Sequence, residues 1–204
     1  MRLKRYVFGL GLVLLLAACG SARWKTEYTQ IEASQAAELR ISAVEVVVPT
    51  MLRVSEQNSL MPDADIVWRG EPAGDRRLQV AEIIKTAAQR GTSELRGRTS
   101  AKLVVQVQQF HGLTPRARAL SGNVGVNSIR FTAQLFDART GAAISPPQLI
   151  VADMPALVGA QARAADQRGY TQKVEVTEHL VKVFRNWLGG RGEDPRSNFS
   201  RSGR

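Results

Sequence analysis

The chain has 204 residues, a formal net charge of +10 and a single cysteine, Cys19. One cysteine excludes a disulfide framework, and the length suffices for one substantial core without metal or disulfide staples. The arginines are dispersed rather than gathered into a basic face with stacking aromatics, which argues against a nucleic-acid module.

Arg2, Lys4 and Arg5 open the chain and lead into the uncharged run 6–18, which stops at Cys19. A helix of that length spans about 20 Å, short of the roughly 30 Å hydrocarbon core, so the run reads as a secretory signal. The order Leu16-Ala17-Ala18-Cys19 resembles the lipobox of bacterial lipoproteins. The resemblance implies that residues 1–18 are cleaved as a signal peptide. It also implies that Cys19 carries a diacylglycerol on sulfur and a fatty-acyl chain (palmitate) on its new amino group. Two or three chains attach a protein stably to a membrane. The alternative is a buried thiol within an N-terminal anchor helix. Under the lipoprotein sorting rule, Gly20 after the cysteine points to the periplasmic leaflet of the outer membrane. Loss of the leader leaves about +7, a balance suited to acidic lipid headgroups or other anionic envelope polymers.

Residues 20–40 read as a lead segment with a short helix in EASQAAELR. Residues 41–48, ISAVEVVV, are rich in β-branched side chains and predict the first strand. The segment 55–77, punctuated by Pro62, Gly70, Pro72 and Gly74, reads as a structured loop pinned to the core by Ile66, Val67 and Trp68. Asp75 caps a predicted helix over 76–90, with Val80, Ile83, Ile84, Ala87 and Ala88 on one stripe and Gly91 ending it. A second strand covers 101–110, and 113–120 is a polar bend around Pro115, Arg116 and Arg118. The third strand, 124–136, alternates Ile129, Phe131, Ala133 and Leu135 against Arg130, Thr132 and Gln134, as in a sheet covered on one side. A turn at 137–141 leads to a returning strand over 142–153, interrupted at Pro146-Pro147. The last helix, 170–188, shows the strongest period, with Leu180, Val181, Phe184 and Trp187 on its apolar face. The expected fold is α+β: a two-layer sandwich with a mostly antiparallel sheet of about four strands and two main helices, in the order strand-helix-strand-strand-strand-helix. The expected boundaries are signal 1–18, lipidated lead 19–40, a single domain 41–188 and a disordered tail 189–204.

Candidate chemistry is sparse. His111 and His179 lack a nearby second ligand or a free thiolate, so no metal or other cofactor is expected, and His179 falls off the apolar stripe onto the solvated face. Asp63 and Asp65 lack the remaining ligands of a calcium loop. The Gly70–Arg77 segment, GEPAGDRR, lacks the lysine and hydroxyl of a phosphate-binding loop. Ser121-Gly122-Asn123 supplies no nucleophile and base, and no enzyme is expected. Arg76, Arg77, Arg116 and Arg118 would form an anion-facing rim if their loops converged; the alternative is a charged, solvated surface.

The stretches ADIVWRGEPAGDRRLQV, FHGLTPRAR, SIRFTAQLFDARTGAAI and GYTQKVEVTEHL resemble a family of alphaproteobacterial envelope lipoproteins with a domain of unknown function. That resemblance spans roughly residues 24–188 and implies one architectural unit without an assigned activity. More distantly, the element order with RFTAQLFDARTG is similar to domains like the curli-secretion lipoprotein and the amino-terminal domain of the periplasmic Tol protein. The expected function is protein binding or scaffolding in an envelope complex, with the membrane and an envelope protein as partners. The alternative is a periplasm-facing module that binds a small molecule, lipid or glycan in an arginine-lined or apolar pocket.

Overall fold

The computed structural model describes residues 24–120 and 125–199, so the signal segment and Cys19 lie outside the described residues. The sheet begins with β1 (Trp24–Glu27), and after the single-turn α1 (Ala33–Ala37) comes β2 (Leu39–Val47). A long loop carries the two-residue β3 (Ile66–Val67) into α2 (Arg76–Gly91), followed by β4 (Thr99–His111), α3 (Pro115–Ala119) and β5 (Gly125–Asp137). The chain continues through β6 (Gln148–Ala152), β7 (Met154–Ala156), α4 (Gly159–Gln167), α5 (Gln172–Trp187) and β8 (Ser197–Phe199).

The α+β class and the mostly antiparallel sheet agree with expectation, but the strand count and the helix count do not. The sheet has eight strands in the order β2-β4-β5-β6-β1-β8, with β3 beside β4 and β7 beside β5. It is mixed: β2 and β3 run parallel to β4, and the other pairs are antiparallel. The parallel pair follows from the connection, because α2 crosses over between β2 and β4 as a parallel pair requires. The strands absent from the sequence expectation are short, from two residues in β3 to four in β1, too few to show a period of their own. α4 was missed because its buried face is made of Gly159, Ala162 and Ala165 rather than large apolar residues. The polar bend at 113–120 is in fact one helical turn, with Thr114 accepting from Ala117 N at 3.1 Å and Pro115 at its first position. Within the segment expected to be disordered, Ser197–Phe199 pairs with Trp24–Thr26 and buries Phe199.

The core sits between the sheet and a layer formed by α2 and α5. Leu103, Val105, Phe131, Ala133 and Leu135 present one face of β4 and β5 and are fully buried. Val80, Ile83, Ile84 and Ala87 meet them from α2, and Leu180, Phe184 and Trp187 from α5. Phe131 stacks on Phe184 at 5.3 Å, and Trp68 meets Phe110 edge-on at 5.4 Å, so the loop is pinned by Ile66, Val67 and Trp68 as the sequence predicts. Asp75 caps α2 by accepting from Arg77 N and Leu78 N at 2.8 and 3.2 Å. At Gly91 the two helices pack tightly: a Cβ there would lie 2.7 Å from Val181 O and 2.9 Å from Phe184 Cβ.

Candidate functional site

The four arginines of the expected rim serve different parts of the fold. Arg76 is buried at the first position of α2, where its guanidinium meets Glu56 at 2.7 and 3.1 Å, Pro72 O at 3.0 Å and Gln79 Oε1 at 2.8 Å. The same ion pair holds the Glu56 carboxyl below its ordinary range. Arg77 donates to Thr50 O and Leu52 O at 3.0 and 2.6 Å. These two residues clamp loops onto α2 and face no common rim. Arg116 is exposed, and its backbone N–H donates to Asn58 Oδ1 at 2.9 Å. Of the four, Arg118 lines a cleft.

That cleft has a volume of ≈ 370 Å³ and is walled by the loop after β3, by α3 and α4, and by the start of α5. Arg69, Arg118 and Arg163 contribute positive charge to it, and Asp166 is the acid in its lining. Arg118 is ion-paired with Asp166, Arg69 lies 3.6 Å from Glu56, and Arg163 has no ion-pair partner among the described residues. Gly159 opens α4 and Thr171 caps α5 at the cleft wall, so the amide ends of both helices add partial positive charge there. Gly70 is required where the loop lies against Trp68, since a Cβ would sit 2.6 Å from the ring. Trp68 Nε1 donates to Glu71 at 2.8 Å, and Lys173 of α5 holds the other oxygen of that carboxylate.

Behind the cleft lies a buried polar group of residues. Glu175 is 6% exposed; Oε1 accepts from Leu157 N at 3.1 Å, while Oε2 has no partner among the described residues. Burial raises its pKa, and the Leu157 N–H hydrogen bond and the nearby Arg118 charge only partly oppose that shift. Arg118 Nε and Nη2 are likewise buried without partners among the described residues. The side-chain amides of Gln172 and Asn127 meet at 2.9 Å, and Gln172 contacts the Leu113 backbone at 2.6 and 3.2 Å.

His179 departs from its expected solvated position. Its Nε2 lies 3.4 Å from Thr26 Oγ1 between α5 and the sheet, and burial pushes its pKa down to about 4. Thr26 in turn donates to Asp153 O at 2.6 Å, and the Asp153 carboxylate accepts from Ser128 Oγ at 2.8 Å and Ile129 N at 3.2 Å. This network ties β1, β5 and β6 together. His111 Nε2 contacts Ala64 O, so the Asp63–Asp65 turn does approach a histidine. The two carboxylates are nonetheless engaged by Arg53: Asp63 at 3.2 Å and Asp65 by accepting Arg53 N at 2.6 Å. Asp75 is the cap of α2. Among the described residues, no three histidine or carboxylate side chains could hold a metal ion.

Sequence reasoning missed Arg69, Arg163, Glu175 and Asp153. The first two lie outside any site motif, and the acids sit at the end of the predicted returning strand (Asp153) and on the polar side of the last helix (Glu175). The strongest available signal was Arg69 directly after the apolar Ile66-Val67-Trp68 run, which fixes its backbone to the core.

Comparison with known proteins places the chain in a family: the model of DUF6778, a family of unknown function, matches residues 39–204, and the chain belongs to it. No curated protein matches the sequence. Among solved structures, the chain is similar to the Xanthomonas campestris protein XCC0632 of the DUF330 family, at 11% identity and TM-score 0.44, over 79% of this chain and 85% of that one. It is also similar to a candidate lipoprotein from Caulobacter crescentus CB15, at 15% identity and TM-score 0.33, over 78% and 96% of the two chains. A minor lipoprotein from Acinetobacter baumannii matches at 13% identity and TM-score 0.32, over 75% and 94%.

Proposed function

We propose that this DUF6778 protein is a lipid-anchored protein of the bacterial cell envelope that binds a small anionic ligand in the cleft of Arg69, Arg118 and Arg163. The anchoring part rests on the sequence Leu16-Ala17-Ala18-Cys19, and Gly20 supports the periplasmic leaflet of the outer membrane. The binding part is carried by one observation: a ≈ 370 Å³ cleft whose lining sets three arginines against one aspartate. That volume falls within the range of small-ligand pockets. Guanidinium groups match carboxylate and phosphate oxygens in planar, two-point geometry. The cleft lining contains no histidine or cysteine, and the Thr171 hydroxyl caps α5, which favours binding over catalysis.

Titration with glycerol 3-phosphate and inorganic phosphate, followed by tryptophan fluorescence, tests the reading. Arg163 is exposed and can be replaced without disturbing the core. Arg163→Ala should weaken binding about tenfold, the typical loss for one charge-assisted contact. Saturation unchanged in Arg163→Ala and Arg118→Ala would refute the site.

A second reading, docking of another protein, is favoured by β2. It forms one edge of the sheet, and a groove of ≈ 550 Å³ beside it is lined by Val44, Val46 and the exposed Leu78. A strand added there would be read by backbone hydrogen bonds. Crosslinking from Val46→Cys to a reproducible envelope protein would support that reading, and recovery of monomer alone would oppose it.

A further inference from the structure

The proposed lipid anchor and the arginine cleft belong to the same end of the sheet. β1 starts at Trp24, which pairs with Phe199. The adjoining β1–β6 register pairs Thr26 with Ala152, so the start of β1 lies beside Asp153 and Met154. Met154 pairs with Asn127 at the start of β5, and the neighbouring Ser128 pairs with His111 at the end of β4. The cleft is built from the segments that leave this end: the loop after Val67, the α3 region after His111, the start of α4 and the start of α5. The opposite end, with the Asp137–Gly141 turn, lies about 40 Å away along the 13-residue strands β4 and β5.

Four residues separate Cys19 from Trp24, so the tether reaches about 17 Å when extended. The near end is therefore held close to the bilayer, while the far turn lies beyond the reach of the tether. The near end also carries the apolar exposure that a lipid surface would cover. Met51, in the turn whose Thr50 and Leu52 carbonyls Arg77 holds at the start of α2, is 85% exposed, Met61 74%, Leu120 50% and Leu60 47%. Leu60 and Met61 are brought beside α3 because Thr114 Oγ1 donates to Ser59 O at 2.7 Å and Arg116 N to Asn58 at 2.9 Å. Exposed Arg116 and Arg163 lie on α3 and α4 at this end and have no ion-pair partner among the described residues, so the end combines apolar side chains with positive charge.

We infer that this loop end is a membrane-docking surface for an anionic phospholipid bilayer, with Met51, Leu60, Met61 and Leu120 entering the headgroup region and the arginine cleft receiving a headgroup phosphate. The inference rests on attachment through Cys19, and it names the source of the anion in the proposed binding function. The apolar side chains supply area-dependent partitioning, and each arginine near a negatively charged surface contributes electrostatic attraction.

The test uses the full lipidated protein in vesicles of phosphatidylcholine with and without phosphatidylglycerol. Because the chain's single cysteine is consumed by lipid, Met61→Cys, Leu120→Cys, Thr140→Cys and Leu149→Cys each place one fluorophore. Thr140 marks the far turn and Leu149 an exposed position on β6. With a bilayer-resident quencher, labels at 61 and 120 should be quenched at least threefold more than labels at 140 and 149. The difference should shrink when phosphatidylglycerol is omitted or when Arg116 and Arg163 are replaced by glutamate. Equal quenching at all four positions, or stronger quenching at 140 or 149, overturns the docking surface. Mass analysis of the N-terminal peptide from the same sample reads the anchor separately: an unmodified Cys19 refutes the attachment, whereas a lipidated Cys19 with unquenched loop labels refutes the surface.

Discussion

Replacing Arg76 by alanine should destabilise the protein strongly, although the residue belongs to no ligand site. Its side chain is 4% exposed and joins three segments through Glu56, Pro72 O and Gln79. Glu56 is about half exposed and can rehydrate, so the ion pair contributes less than a buried pair would. The larger loss comes from the hydrogen bonds to Pro72 and Gln79 and from the vacated space under the loop. At about 1 kcal/mol for each hydrogen bond, with a similar amount for lost packing, the total is about 3 kcal/mol. For a chain of this size that corresponds to a fall of about 6–12 °C in Tm. The assay is thermal unfolding by circular dichroism of the full chain in mild detergent, with Arg116→Ala as the exposed control. Arg116→Ala should stay within about 0.5 kcal/mol of the parent. A Tm for Arg76→Ala within 2 °C of the parent (about 0.5 kcal/mol) would show that the clamp is not structural.

Gly91→Ala should lower stability by about 1–3 kcal/mol, because the new methyl group collides with α5 backbone at Val181 O; an unchanged denaturant midpoint would contradict the close packing. His179 titrates near pH 4 in the folded chain against about 6.5 when unfolded, so the unfolded state binds more protons between those values and stability falls as pH drops through that window. The loss is about 3 kcal/mol at its limit, and His179→Asn should flatten the stability profile between pH 6.5 and 4. Glu175 has the opposite sign: its pKa is raised by burial, so its contribution is fully present at low pH and is lost as pH rises through the folded value. Glu175→Gln should therefore raise Tm more at pH 8 than at pH 4, and equal shifts at both values would refute the assignment.

The long elements were legible because their side chains repeat. β5 alternates from Ile129 to Leu135, and α2 carries Val80, Ile83, Ile84 and Ala87 at helical spacing. Asp75 was local enough to be read as a cap, whereas 113–120 was taken as a bend because the Thr114 cap ahead of Pro115 went unread. β1, β3, β7 and β8 were not legible, since a strand of two to four residues is defined by its neighbour rather than by its own pattern. The site was less legible still. Arg76 and Arg118 look alike in sequence, but Glu56, twenty positions away, draws one into a clamp, while Asp166 on α4 sets the other into the cleft wall. Arg69 and Arg163 join Arg118 only after the loop, α3 and α4 come together at one end of the sheet.

Native mass spectrometry of the protein extracted from its own envelopes in mild detergent tests the central claim most directly. The account predicts a mass showing lipid on Cys19 together with a retained anionic adduct. That adduct should disappear when Arg118 and Arg163 are both replaced by alanine. A lipid-free Cys19, or an adduct retained equally by parent and variant, would contradict it.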